Sequence, residues 1–147
     1  MEIIDLGPGL EPLYCRCLAG EDWPWLVGVP RKEAWYRELR TQGLSVKLAR
    51  DEAGNIGGMI QYAPAKWSFA EDRDAYFVYC IWIPDPKKGP SLRGRGIGKA
   101  LLAAAEADVR QRGGKGLAVW GMRLPFWMKA SWFRRQGYRP VDRLGLA

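Results

Sequence analysis

Hydrophobic side chains form unbroken runs in some segments of the chain and recur at helical spacing in others. The nine residues 75–83 show no alternation with polar positions, which predicts a central strand covered on both faces. Further along, a recurrence every four residues predicts an amphipathic helix that ends near Arg112. The apolar positions of this helix are Ile97, Leu101, Ala105 and Val109.

The other segments complete an alternation of strands and helices. Strands are predicted over 2–6, 44–50, 56–62, 117–120 and 138–141, and helices over 10–18, 30–42 and 126–136. Strands separated by helices after the hairpin 44–62 imply an α/β domain with a mixed sheet. Only ten residues follow Gly137, so we expect a longer chain or a partner to complete the sheet.

The composition favours a single globular domain over 1–147, since the chain has 147 residues, of which 48% are hydrophobic. Its apolar runs are shorter than the ~20 residues that span a bilayer. With three cysteines and no histidine, the sequence offers neither a His-ligated metal site nor a disulfide framework, so no metal is expected. The cysteine count and the acidic N-terminus favour a cytoplasmic location.

The charge is uneven along the chain. Residues 1–92 carry a formal −2, whereas residues 93–147 hold 12 Lys+Arg against 3 Asp+Glu, a formal +9. This asymmetry favours an anionic partner, and nucleic acid, a membrane surface and a polyphosphate cofactor all fit the charge alone. No helix-turn-helix, zinc-finger or RNA-binding strand signature accompanies the charge, so neither nucleic acid nor a membrane is expected.

The segment 93–102, RGRGIGKALL, lies between the central strand and the amphipathic helix. Its three glycines let the backbone turn sharply and approach a ligand closely. The first turn of the helix adds unpaired N–H groups and the positive end of the helix dipole, a geometry that binds phosphate. The basic side chains of this segment are Arg93, Arg95 and Lys99.

Two common phosphate-binding patterns are excluded. A P-loop requires glycine at position 93 and Ser or Thr at position 100, where this chain has Arg93 and Ala100. The dinucleotide fingerprint requires a third glycine at position 99 or 101, which is also missing. What remains is R-x-x-G-x-G, formed by Arg93, Gly96 and Gly98.

In this setting the pattern resembles the pyrophosphate signature Q/R-x-x-G-x-G/A of the GNAT superfamily of acyl-CoA-dependent N-acyltransferases. The similarity covers roughly residues 44–141 and includes the segment WFRRQGY at 132–138. It implies a mixed, mostly antiparallel sheet with a splayed parallel central strand pair, helices on both faces, and a last strand beyond this chain. Residues 80–82, 127–128 and 1–6 resemble a bacterial subgroup that carries a C-terminal extension.

The resemblance also implies a binding site for acetyl-CoA. The end of the central strand would hold the pantetheine arm through backbone groups of Ile81 and Ile83, on either side of Trp82. The thioester would lie in the gap between this strand and 117–120. The pyrophosphate would be held by the segment Arg93, Gly94, Arg95, Gly96, Ile97, Gly98 and Lys99.

The catalytic groups that the resemblance implies are only partly present. The position of the usual carboxylate base is occupied by Tyr76, with Asp74 two residues before it. The Tyr that protonates the leaving thiolate in many members is replaced by Phe133, and Phe126 stands near the position of a frequent Asn. Three residues could substitute for the missing acid: Tyr138, Tyr79 and Cys80.

Two functions follow from this resemblance. The first is an N-acetyltransferase that moves an acetyl group from acetyl-CoA to a primary amine of a small molecule or peptide, by direct attack in a ternary complex. The alternative is a non-catalytic CoA-binding or regulatory domain of a larger protein. A homodimer is an open alternative.

Three tryptophans lie in predicted loops near acidic residues: Trp23, Trp25 and Trp67. They could form a wall for a cationic amine, or the acidic loops could simply pack on them, and the sequence leaves both interpretations open.

Overall fold

The computed structural model describes residues 1–20, 26–68, 70–85, 92–125 and 127–143. Its strands are β1 (Glu2–Asp5), β2 (Ser45–Arg50), β3 (Ile56–Pro64), β4 (Tyr76–Trp82) and β5 (Leu117–Val119). Its α-helices are α1 (Glu11–Cys15), α2 (Val29–Arg40), α3 (Ile97–Gln111) and α4 (Ala130–Arg135). Within these ranges, no helix is both long and apolar enough to cross a membrane.

The strands form one sheet in the order β1-β2-β3-β4-β5. Neighbouring strands are antiparallel except β4 and β5, which are parallel. The predicted hairpin is confirmed, and its turn is closed by Asp51, whose carboxylate accepts hydrogen bonds from the N–H groups of Ala53 and Asn55. The predicted mixed, mostly antiparallel sheet is therefore confirmed.

Helices cover both faces of the sheet, as expected. On one face α1 and α2 pack on β2 and β3, with Tyr14 and Leu48 fully buried between them. On the other face α3 packs across the sheet, and Phe133 of α4 joins the same apolar cluster, in which Leu101 and Val78 are fully buried. The apolar stripe of α3 lies against this second face: Ile97, Leu101, Ala105 and Val109.

A bulge interrupts the pairing of β4 with β3. Val78 lies opposite Tyr62 and Cys80 lies opposite Gln61, so Tyr79 is an extra residue in β4. Because of it, Tyr79 and Cys80 both face α1 and α2, whereas a regular strand would place them on opposite faces.

The central parallel pair is splayed. In the described part of the chain β5 pairs with β4 over three positions, from Tyr76↔Leu117 to Val78↔Val119. Beyond Val78, β4 continues to Trp82 while β5 ends. This leaves a gap beside the second half of β4, at the carboxyl ends of both strands.

The C-terminal segment differs from the sequence prediction. The helix predicted over 126–136 begins at Ala130, because Met128 has a positive φ of 48° and Lys129 is extended. Phe126 lies outside the described residues. The strand predicted over 138–141 does not form. The chain turns at Gly137 (φ 93°), and Tyr138 packs back against the α3 face of the sheet.

Candidate active site

The glycine-rich segment forms a tight turn that opens α3. Gly94 and Gly96 have φ angles of 77° and 73°, in the left-handed region that favours glycine. Among the described residues, no side chain caps the helix at Gly96. The first backbone bond of the helix runs from Ala100 to Gly96, so the N–H groups of 97–99 have no partner within the helix. These three N–H groups lie at the positive end of the α3 dipole.

The start of this turn is held by the sheet. A second bulge places Gly57 as an extra residue of β3, since Ala49 pairs with Gly58 and Arg50 pairs with Ile56. A Cβ at Gly57 would lie 2.4 Å from the Cγ of Leu92, so the leucine occupies the space that a side chain would need.

The start of α3 is held in the same way. A Cβ at Gly58 would contact Ile97 at 3.0 Å, and a Cβ at Gly98 would contact the Trp132 ring at 3.0 Å. Gly98 therefore allows Trp132 to pack against the first turn of α3. A Cβ at Gly94 or at Gly96 would meet no atom within 4 Å, and of these two positions Gly96 directly precedes the first turn of α3.

The surroundings of the turn are basic. Arg95 and Lys99 are exposed, and the first turn of α3 carries no acidic residue. Hydrogen bonds from Asn55 hold the pKa of Asp51 below its ordinary value, and Arg95 adds to this effect. A cleft of about 380 Å³ separates the turn 51–55 from the loop, with Arg95 and Asp51 among its lining residues.

The predicted pantetheine site lies along the free edge of β4. The N–H of Tyr76 points toward β5 and donates to the Gly116 carbonyl. Strand alternation and the extra residue Tyr79 turn the backbone polar groups of Ile81 to the same side, beyond the end of β5. Ile81 thus faces the gap, whereas the carbonyl of Ile83 accepts two hydrogen bonds from Arg93. The role of both residues in binding the pantetheine arm stays a prediction.

Asp74 and Tyr76 lie away from the glycine-rich loop. The Tyr76 ring packs beside Gly114, just beyond the C-terminal end of α3. The glycine-rich loop precedes the N-terminal end of the same helix, which is about 21 Å long. The exposed Asp74 carboxylate forms a 3.0 Å ion pair with Lys115 and raises the pKa of that lysine. The structure does not bring these two residues to the loop, and their catalytic role stays a prediction.

The hydroxyl of Tyr138 is already engaged. It donates a 2.7 Å hydrogen bond to the carboxylate of Glu106, roughly 13 Å along α3 from its first residue. Burial, and then this hydrogen bond, raise the pKa of Tyr138. Phe133 is 2% exposed and packs edge-on against Tyr138, with ring centroids 5.8 Å apart.

The other two residues that could substitute for the missing acid, Tyr79 and Cys80, lie at the bulge in β4. The Tyr79 hydroxyl donates a 2.6 Å hydrogen bond to the Trp67 carbonyl, and burial raises its pKa. Burial raises the pKa of Cys80 to about 11, so its thiol stays protonated at neutral pH.

Of the three tryptophans considered as a wall for a cationic amine, Trp67 is 42% exposed, and the Lys66 ammonium lies 5.0 Å from its ring centroid. Trp23 and Trp25 lie outside the described residues.

Some positioning contacts were not foreseen from the sequence. Leu92 and Trp132 fix the loop through packing on Gly57 and Gly98. The signal that could have indicated the first contact is the pair of adjacent glycines inside β3, because glycine within a strand marks a bulge or a close approach. The second contact has no comparable signal in the sequence.

Comparison with known proteins agrees with this geometry. The family model of the Acetyltransferase (GNAT) family matches residues 11–125. The acetyltransferase Atu2258 of Agrobacterium fabrum is 25% identical over 112 residues, which cover 76% of this chain and 70% of that protein.

Solved structures show the same fold. AAC(6')-Iy, in complex with the bisubstrate analogue CoA-S-monomethyl-acetylneamine, has a TM-score of 0.69 at 15% identity and covers 99% of this chain and 95% of its own. The aminoglycoside 6'-N-acetyltransferase AAC(6')-Ih of Acinetobacter baumannii has a TM-score of 0.66 at 15% identity, with coverages of 98% and 94%. An acetyltransferase of Trypanosoma brucei has a TM-score of 0.65 at 18% identity, with coverages of 98% and 96%. The chain, matched by the family model over most of its length, belongs to the GNAT acetyltransferase family.

Proposed function

We propose that this protein transfers an acetyl group from acetyl-CoA to a primary amine of a small molecule or peptide, by direct attack in a ternary complex. The observation that carries the proposal is the N-terminus of α3, which no side chain of the described residues caps, together with the gap past Val78 in β4. In this arrangement the protein would offer two adjoining sites to one ligand, the first for a polyphosphate and the second for an extended arm. The similarity to aminoglycoside N-acetyltransferases supports an amine as the acceptor.

The residues would divide the work as follows. The N–H groups of 97–99, with Lys99 and Arg95 beside them, would bind the pyrophosphate. Backbone groups of Ile81 would bind the pantetheine arm as a neighbouring strand does, and this contact fixes the thioester in the gap. Holding the thioester and the amine together lowers the barrier by proximity, so the chemistry proceeds without a dedicated acid, although more slowly.

The site assignment is tested by Gly96→Asp. Because a side chain here extends into open space, the carboxylate would repel the pyrophosphate and weaken acetyl-CoA binding, measured by calorimetry. Gly113→Asp is the matched control: Gly113 also has a positive φ (79°) and open surroundings, but it follows the other end of α3. Equal affinities of the two variants would contradict the assignment.

The catalytic function is tested by release of free thiol from acetyl-CoA over a panel of polyamines, amino acids, aminoglycosides and peptides. Turnover on any of these amines supports the proposal. Tight CoA binding without turnover would favour the alternative, a non-catalytic CoA-binding or regulatory domain. The specific observation behind that alternative is Phe133, a buried side chain without a proton to donate.

A further inference from the structure

Arg93 begins the R-x-x-G-x-G segment, and its guanidinium turns back to the end of β4. Its Nε and Nη2 atoms donate to the Ile83 carbonyl oxygen at 3.2 and 3.1 Å. Its Nη1 atom lies 3.9 Å from the carboxylate of Asp85. Two donors on one carbonyl fix the orientation of the planar guanidinium, which lysine cannot reproduce. The side chain thus ties the loop to the strand that it follows.

The other two cations of the segment are placed differently. Lys99 is exposed on the first turn of α3, beside the N–H groups that have no partner within the helix. Arg95 is exposed and lines the cleft toward the turn 51–55. Of the three cations, only Arg93 has contacts that join β4 to the loop, among the contacts described for these residues.

We propose that Arg93 is a positioning residue, which holds the glycine-rich loop against the carboxyl end of β4 through the Ile83 carbonyl. The charge that attracts the pyrophosphate then comes from Arg95 and Lys99. The contact also sets the distance between the loop and the Ile81 edge, and so aligns the two halves of the cofactor site. This inference rests on the proposed function in one respect, namely that CoA is the ligand of the loop.

The first test needs no ligand. Amide hydrogen exchange over 92–99 is measured in the free wild-type protein, Arg93→Lys, Arg93→Gln and Lys99→Gln. We expect faster exchange in both Arg93 variants, because lysine keeps the charge but loses the two-donor contact, and no change in Lys99→Gln. Wild-type exchange in Arg93→Lys would overturn the proposal, because charge alone would then suffice.

The second test measures CoA affinity by calorimetry at about 0.05 M and 0.5 M salt, where screening of exposed charges differs strongly. Both Arg93 variants are expected to bind CoA roughly tenfold more weakly at either salt concentration. Lys99→Gln is expected to lose affinity at low salt and little at high salt. A full rescue by Arg93→Lys, or a loss in Arg93→Gln that disappears at high salt, would overturn the proposal.

Steady-state kinetics separates positioning from general loss of structure. For the amine that is turned over, both Arg93 variants should raise the KM for acetyl-CoA by a larger factor than they lower kcat, at an unchanged Tm. A lower Tm, or a kcat that falls by as large a factor as KM rises, would contradict a positioning role. If the wild-type protein does not bind CoA, the proposed function fails, and hydrogen exchange alone then decides the role of Arg93.

Discussion

Leu92 occupies the space that a side chain at Gly57 would need, with its Cγ 2.4 Å from the position of a Cβ there. The leucine is 4% exposed and belongs to the core between α3 and the sheet. Because the bulge in β3 turns Gly57 toward this core, the loop starts at a fixed point on the sheet. The position of the glycine-rich loop therefore depends on β3, a strand two elements earlier in the chain.

Gly57→Ala should destabilise the protein and weaken CoA binding. The methyl group would displace Leu92, and overpacking of this kind costs about 1–3 kcal/mol. The loop that begins at Leu92 would shift with it. Urea unfolding and calorimetry measure the two effects. Gly116→Ala is the control, because its Cβ has no neighbour within 4 Å and should change the free energy of unfolding by less than about 0.5 kcal/mol. Equal effects in the two variants would contradict this account.

Asp108→Ala should destabilise the protein by about 1–3 kcal/mol, because it removes the acceptor of a buried hydroxyl. Tyr62 is fully buried, and its hydroxyl donates a 2.6 Å hydrogen bond to the Asp108 carboxylate. The same carboxylate forms an ion pair with Arg112. Urea unfolding of Tyr62→Phe, Asp108→Ala and the double variant measures the coupling. The double variant should lose less than the sum of the single losses, and strict additivity would show that the bond contributes nothing.

The free energy of unfolding should fall as the pH rises above about 9, where the raised pKa of Cys80 begins to contribute, and more steeply above about 10, where buried tyrosines contribute. Burial raises the pKa of Tyr14, Tyr62 and Tyr138 above the ordinary value of 10.0. Above that pH the unfolded chain releases these protons while the folded chain keeps them, so the unfolded state binds fewer protons. Stability then declines by up to about 1.4 kcal/mol per pH unit for each tyrosine.

Urea unfolding between pH 8 and 11 measures this decline. Tyr14→Phe should have a shallower slope than the wild-type protein, because one of the protons that the folded chain retains is removed. A free energy of unfolding that stays constant over this range would contradict the pKa directions.

Tyr138→Phe should affect stability more than turnover. Its hydroxyl is bound to Glu106, and its raised pKa makes it a poor proton donor. We expect a loss of about 1 kcal/mol in the free energy of unfolding and a decrease in kcat of less than tenfold. Thermal unfolding and thiol release check both values. A decrease of about 10²-fold or more in kcat with an unchanged Tm would instead identify Tyr138 as the general acid.

The sequence predicts the parts of this fold whose signals are local. Helix α3, the hairpin and the loop at Gly96 follow from periodicity, turn residues and glycine spacing within short windows. The late start of α4 does not, because Met128 adopts its positive φ in a segment that is hydrogen-bonded to Met122. No window around residue 128 contains that partner at a recognisable spacing.

The candidate site was likewise predictable only where the signal is local in the sequence. The motif indicated the loop, but nothing in the motif shows that the Arg93 side chain contacts the Ile83 carbonyl. The resemblance could assign Tyr76 and Asp74 only by their place along the strand. It carried no information on their distance from α3's first turn, which the packing of Tyr76 beside Gly114 determines.

Because Tyr79 is an extra residue in β4, the face that each side chain of this strand occupies depends on its position relative to Tyr79. Before the bulge, even-numbered side chains face α3, and after it the odd-numbered Ile81 does so. Deleting Tyr79 would restore regular pairing and leave Cys80 and Ile81 opposite the same residues of β3 and on the same faces, because only the unpaired residue is lost. Deleting Ile81 with the bulge kept would instead move Trp82 and the residue after it to the opposite faces, while the hydropathy of the segment hardly changes.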